Sequence, residues 1–312
     1  MASSILHIKD SYYFEVPKFM WRHGYTSVDQ VPKFLRDGHP HATPEEFNEA
    51  LDGKILIPQP FATLKNLYEQ DKDAGGFAIS RYMVIELVVA VIIAALFIRL
   101  ANRLKAGGVP RGRTLHFLEG ILLYLRDNVA MPAIGHHDAD RFVPYLWTVF
   151  FFILGCNLFG LVPWTGSPTA AFAVTLTLAM LTFLTVLVGG MFKFGPLGFW
   201  LNQVPHMDLP VYMFPLKIGI WVIEVIGLLI KHGVLAVRLL ANMVAGHLVL
   251  LAIMGMAFSL EGASSSNWYL TAVISILGTS LLSCLELFVA LLQAYVFTFL
   301  SALFIGAAVH KH

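Results

Sequence analysis

Four charged residues in an otherwise apolar stretch, Lys217, Glu224, Lys231 and Arg238, recur at intervals of seven. On a helix turning about 100° per residue, seven residues drift by only about 20°, so the four charges form one stripe. Arg238 is the demanding member. Apolar residues surround it in VLAVRLLANMVAG, and a guanidinium keeps its proton at any physiological pH. It requires a counter-charge or a wet cavity. Glu224 is about 21 Å away along a helix, too far for a direct pair. Ala241 and Ala245 leave the Arg238 face shallow, as another helix packing closely there would require. The expected partner is therefore a carboxylate on another chain, with pairing inside this chain as the alternative. Lys217 and Glu224 fall near a membrane surface and Lys231 can snorkel, so a structural role is open for all three.

Glu286 and Gln293 are also seven apart, in ELFVALLQAY, and share a face of an apolar run. Folding the chain back on itself about residue 264, with equal rise on both sides, sets Glu286 beside Asn242 and His247 to within about a turn. The same fold sets Gln293 beside Arg238. A polar trail then enters through His247, Glu286 and Asn242 and ends at a fixed positive charge. His and Glu can exchange protons, and Asn or Gln can orient water without titrating, so this is the pattern of a proton path. The plainer alternative is a satisfied interhelical hydrogen-bond cluster.

Two His-rich clusters raise metal chemistry: GHPH, with His39 and His41, and HHDAD at His136 to Asp140. Membrane di-iron chemistry needs several repeated His boxes on helices, whereas each cluster occurs once and in a loop context. No metal site and no cofactor are expected. Cys156 and Cys284 sit in apolar segments and read as small buried hydrophobes rather than as a disulfide framework. No GxxxxGK[ST] motif is present, so the chain is expected to have no catalytic site of its own for nucleotide chemistry.

The elements that must carry these residues are set by composition. Of 312 residues, 57% are hydrophobic and 13% charged, and the mean hydropathy is +0.70. That places the chain in a lipid bilayer. A net charge of +1 provides no field for holding nucleic acid, which is excluded as a partner. Residues 1–80 carry most of the acidic groups and read as a solvated extension. They show neither a basic start followed by an apolar run nor an Arg-rich, acid-poor leader, so no cleavable targeting segment is expected.

The first span is expected from Tyr82 to Ile98. Arg99, Arg103, Lys105, Arg111 and Arg113 follow it and place that end inside. Between Thr114 and Met131, Leu115, Leu118, Leu122, Leu125 and Val129 recur at spacings of three and four, while Glu119, Arg126 and Asp127 take other faces. This predicts an interfacial helix. Phe142 to Val162 and Thr169 to Phe192 follow as an antiparallel pair joined by PWTGSP. FGPLGFWLNQVPHMDLP then breaks the helical pattern.

Residues 216–312 contain no proline and one evident polar break, SLEGASSSNW. They predict a hairpin of two very long helices, Tyr212 to Phe258 and Trp268 to Val309, roughly 70 Å and 63 Å long at 1.5 Å per residue. Against a hydrocarbon core of about 30 Å, both must be tilted, bent or partly outside. The break holds Glu261 but no Lys or Arg and is expected outside. The fold class is therefore an all-α polytopic membrane protein with about five crossings plus an interfacial helix, ending in a hairpin of two long tilted helices. The N-terminal extension lies outside and the tail HKH inside.

RLLANMVAGH at Arg238 to His247, together with ELFVALLQAYVFTFLSALF from Glu286, resembles subunit a of F-type ATP synthases. The resemblance extends to Glu224 and to PYLWTVFFFILGCNLFGLVP at Pro144 to Pro163, and covers roughly residues 81–312 as a transmembrane domain. It implies a stator that forms a proton path with a rotating ring of c subunits, alongside the b subunits of a peripheral stalk. In that family pattern Arg238 is the essential arginine facing the ring carboxylate. Asn242, His247, Glu286 and Gln293 match positions lining the half-channel open to the outside, and Glu224 matches one on the inner half-channel. Many bacterial members carry Glu and His where this chain has His247 and Glu286; the exchanged pair resembles mitochondrial and some bacterial members. A bacterial inner membrane is the expected location, with the mitochondrial inner membrane as the alternative. A self-contained channel or transporter, with Arg238 as an internal counter-charge, is a further alternative; such folds are built from inverted repeats, and none is found here.

Overall fold

A computed structural model describes residues 10–310 apart from 18, 20, 23, 38, 40–41, 71–75, 106–112, 163–164, 203–213 and 260–264. His41, Arg111, residues 203–213, Glu261 and the last two residues of the tail lie outside the described residues.

The N-terminal 80 residues are more ordered than their composition implies. Strand β1 (Tyr13–Glu15) is followed by a 3-10 turn (Val28–Gln30), α1 (Lys33–Arg36), α2 (Pro44–Leu51), β2 (Lys54–Leu56), β3 (Leu64–Asn66) and β4 (Glu69–Gln70). β1 pairs antiparallel with β2, Tyr13 opposite Leu56, and β3 pairs antiparallel with β4. Thr43 opens α2 with a capping box: its hydroxyl accepts from the Glu46 N–H, and the Glu46 carboxylate accepts from the Thr43 N–H at 3.0 Å. Val31, Leu35, Phe47 and Leu51 close a small core of their own. The strands escaped the sequence reading because each is two or three residues long, too short for a period to register.

This unit is tied to the first span, α3 (Arg81–Lys105). The Arg81 N–H donates to the Ser11 carbonyl at 2.8 Å and the Tyr82 N–H to the Asp10 carboxylate at 3.3 Å, so a residue 72 positions upstream satisfies the start of the helix. Phe14 packs with Tyr82, Ile85, Val89 and Cys156.

α4 (Arg113–Leu125) continues through a π-helical stretch, Arg126–Ala130, into α5 (Met131–Ile134). The predicted apolar stripe is the buried one: Leu115, Leu118, Leu122, Leu125 and Val129 are all buried. The helix differs from expectation in its widened turn, where Arg126 reaches Asp140 at 2.9 Å.

α6 (Ala139–Leu161) and α7 (Phe172–Phe194) are the expected antiparallel pair, since Lys193 at the end of α7 bonds Asp138 before α6. Gly195, at φ +76°, ends α7 in a conformation that favours glycine, and Pro196 starts α8 (Pro196–Asn202). The last two helices are α9 (Phe214–Ser259), of 46 residues, and α10 (Ser265–Val309), of 45. α10 packs against α9, α6 and α7, so it is the central element of the bundle, and α3 packs on α6 from outside. Five of these helices, α3, α6, α7, α9 and α10, are long and apolar enough to cross a membrane. The protein is an all-helical polytopic membrane protein with a small α/β unit at its N-terminal end.

Candidate functional site

The polar residues read from the sequence gather on the seam between α9 and α10. His247 Nδ1 lies 2.7 Å from Glu286 Oε1, and Asn242 Nδ2 donates to Gln293 Oε1 at 2.7 Å. Seven residues separate Glu286 from Gln293 on α10 and five separate Asn242 from His247 on α9, so the two pairs lie at different levels of the seam. Glu286 is 6% exposed and Gln293 2%, so both sit inside the protein rather than on its lipid face. Burying a carboxylate requires such a partner, because desolvation penalises its charged form.

Gly246 makes the first pair possible. A Cβ there would stand 2.7 Å from Glu286 Oε1, so the carboxylate lies directly on the α9 backbone beside His247. The hairpin register is shifted from equal rise. From residue 264, α9 reaches the pairing level at His247 in 17 residues, whereas α10 takes 22 to reach Glu286. Gln293 accordingly bonds Asn242, four residues beyond Arg238, and Asn242 turns to Gln293 rather than to Glu286.

Arg238 is partly exposed on α9. Among the described residues it has no hydrogen-bond or ion-pair partner, so none of the described carboxylates neutralises it within this chain. Glu224 is engaged elsewhere on the stripe: Lys231 Nζ donates to its Oε1 at 3.2 Å, with both side chains about half exposed. The seven-residue periodicity that placed the charges on one face is thus realised as an ion pair along that face.

A second polar cluster was missed. The Asn157 amide on α6 donates to the Ala290 carbonyl on α10 at 3.2 Å, and its oxygen accepts from Thr169 Oγ1 at 2.8 Å. Ser167 Oγ lies 3.1 Å from Thr169 Oγ1, and all three side chains are buried. Ala290 lies between Glu286 and Gln293, so the cluster fixes α10 at the level of the seam. Asn157 was visible only as part of NLFGLVP; its partner is 133 residues away, beyond any local pattern. His232 was also passed over. It is 3% exposed, wedged beside Phe183 and Phe304, with its Nδ1–H donating to the Leu228 carbonyl.

The two carboxylates of the metal-based alternative are taken up in ion pairs. Asp138 bonds Lys193, and Asp140 bonds Arg126. The Lys193 ammonium beside Asp138 holds its carboxyl below the ordinary carboxylate value. Among the described residues no group of three His, Cys, Asp or Glu side chains could hold a metal ion.

Fold and seam together define an integral membrane protein whose two longest helices enclose paired titratable and amide side chains within the bundle. Residues 83–306 match the family described as ATP synthase A chain, and the chain belongs to that family. It is 39% identical over 238 residues to the ATP synthase subunit a of Myxococcus xanthus, covering 75% of each chain. It is 36% identical over 272 residues to that of Chloroherpeton thalassium, covering 85% of this chain and 76% of the relative. With the subunit a of an Anaeromyxobacter strain it shares 43% identity over 208 residues; there the match takes in 67% of this chain but only 49% of the relative's length.

Proposed function

We propose that the chain is the proton-translocating stator subunit of an F-type ATP synthase in a bacterial inner membrane. It offers two offset half-channels to a ring of c subunits, stands beside the peripheral-stalk b subunits, and has no catalytic site of its own. One observation carries the reading. On the same helix seam, Glu286 and Gln293 find partners on α9 while Arg238 has none among the described residues. A guanidinium fixed at membrane depth without a counter-ion in its own chain fits a carboxylate supplied by another subunit.

The mechanism follows from desolvation. A ring carboxylate that is protonated is neutral and tolerates lipid, whereas an ionised one is stranded unless it meets a cation. Arg238 supplies that cation and cannot relay a proton, since it does not deprotonate. It therefore divides the path into two halves and couples ring movement to protonation. His247 and Glu286, in hydrogen-bond contact, pass the proton on the outer side, and Asn242 with Gln293 orients water toward Arg238 without titrating. Glu224, paired to Lys231, belongs to the inner half-path. A membrane potential contributes about 2.3 kcal/mol per charge per 100 mV, which gives the rotation its direction.

The test is ATP-driven acidification of inverted vesicles bearing wild type or Arg238→Ala, with assembly checked on a native gel. Loss of pumping in an intact complex is expected. Retained pumping would make Arg238 a structural charge and refute the reading.

A further inference from the structure

A pocket of about 390 Å³ opens between the inner end of α3, α4 and α6, away from the α9–α10 seam. Its lining includes Leu96, Leu118, Phe151 and Leu154 together with Arg99 and Arg103, and no acidic residue is among it. Its volume lies within the range of about 300–1,000 Å³ found for sites that bury a small molecule or part of one.

Its depth identifies the surroundings. Arg99 is 18 residues from the start of α3, about 27 Å along the helix axis, against a hydrocarbon thickness of about 30 Å. Leu96, one turn higher, is still in the acyl region. The apolar wall therefore faces lipid tails and the two guanidiniums face headgroups. The two arginines are four apart on one helix and so share a face. Arg99 has no hydrogen-bond or ion-pair partner among the described residues, and the acid on the adjoining helix, Glu119, sits 3.7 Å from His116.

We propose that this pocket is a binding site for an anionic phospholipid of the inner leaflet. The phosphodiester is held between Arg99 and Arg103, and an acyl chain lies in the slot between α3, α4 and α6. A guanidinium matches a phosphate by paired N–H donors, and a basic pocket between helices on the cytoplasmic side favours a net-negative headgroup over a zwitterionic one, whose own cation competes for the phosphate. A transmembrane helix of another subunit seated there would have to place a carboxylate against Arg99 at membrane depth, which is costly. A lipid brings its anion ready-made.

The test uses the intact complex in native membranes with two photoactivatable probes, a phosphatidylglycerol and a phosphatidylcholine, each carrying its reactive group in the acyl chain. Peptides containing Leu96, Phe117 and Leu154 are expected to be labelled about tenfold more by the anionic probe, and Arg99→Gln with Arg103→Gln should reduce that labelling to the phosphatidylcholine level. Labelling of a lipid-facing peptide of α7 serves as the internal reference. Equal labelling of the pocket by both probes in the wild type overturns the proposal and needs no variant to fold. So does a protein–protein crosslink from Phe117→p-benzoylphenylalanine to a neighbouring subunit's helix in place of lipid adducts.

Discussion

His247 and Glu286, 39 residues apart and on different helices, meet at 2.7 Å with the Glu286 carboxylate lying against the backbone of Gly246. The contact joins two titratable groups at a depth where either alone would be costly to charge.

Removing the acid from this pair while keeping its shape isolates the proton. In Glu286→Gln the amide can still bond His247 but cannot ionise. ATP-driven proton pumping should fall by at least about tenfold, on the scale of lost acid–base participation, while the complex assembles normally on a native gel. Wild-type pumping rates in assembled complexes would defeat the role assigned to Glu286.

Gly246→Ala probes the geometry without touching a polar group. The added methyl would stand 2.7 Å from Oε1, too close for contact, so the carboxylate must shift from its place beside His247. Proton flux in assembled complexes should drop, because the His247–Glu286 hydrogen bond is displaced. Wild-type flux would show that the close approach is unimportant.

The Asn157 cluster ties α6 to α10 at the level of the α9–α10 seam. Asn157→Leu keeps the volume but leaves the Thr169 hydroxyl and the Ala290 carbonyl without their third party. A loss of about 0.6–2 kcal/mol is expected for such bonds within a membrane bundle, read as a lowered melting temperature of the purified complex. Thr169→Val removes the bonds to Asn157 and Ser167 but leaves the link to α10, and should leave the packing of α10 less disturbed. Equal stability of all three proteins would remove the clamp from the account.

Asp10 gives the N-terminal unit a pH dependence. Burial raises its pKa above the ordinary 3.8, outweighing the hydrogen bonds from Ser80, Ser11 and Tyr82 and the attraction of Arg81. Between 3.8 and the raised value the folded state holds a proton that the unfolded chain has released. Stability should therefore fall as pH rises through that window. Asp10→Asn, which cannot titrate, should flatten the trend. Hydrogen exchange at residues 79–84, measured across acid to neutral pH, reads this directly; the same slope in both proteins would exclude Asp10 as its source.

The division between sequence and structure follows the range of the forces involved. The sequence by itself determined the five crossings, the buried stripe of α4, the two long terminal helices and the residues on their polar faces. Apolar runs and three-to-four spacing are local consequences of helix geometry and of the cost of exposing backbone to lipid. Even the neighbours of Glu286 were legible to within about a turn, because a hairpin with one break has few ways to fold.

Only the tertiary structure decided the register. The shift that gives Glu286 to His247 and Gln293 to Asn242 is set by packing of α10 against α6, α7 and α9 at once, including the Asn157 bond to Ala290. It also decided that the first 80 residues build a small core and cap α3 through Asp10. The Asp10–Tyr82 and Asn157–Ala290 contacts join positions 72 and 133 residues apart, and no local period records a choice made by packing between distant segments.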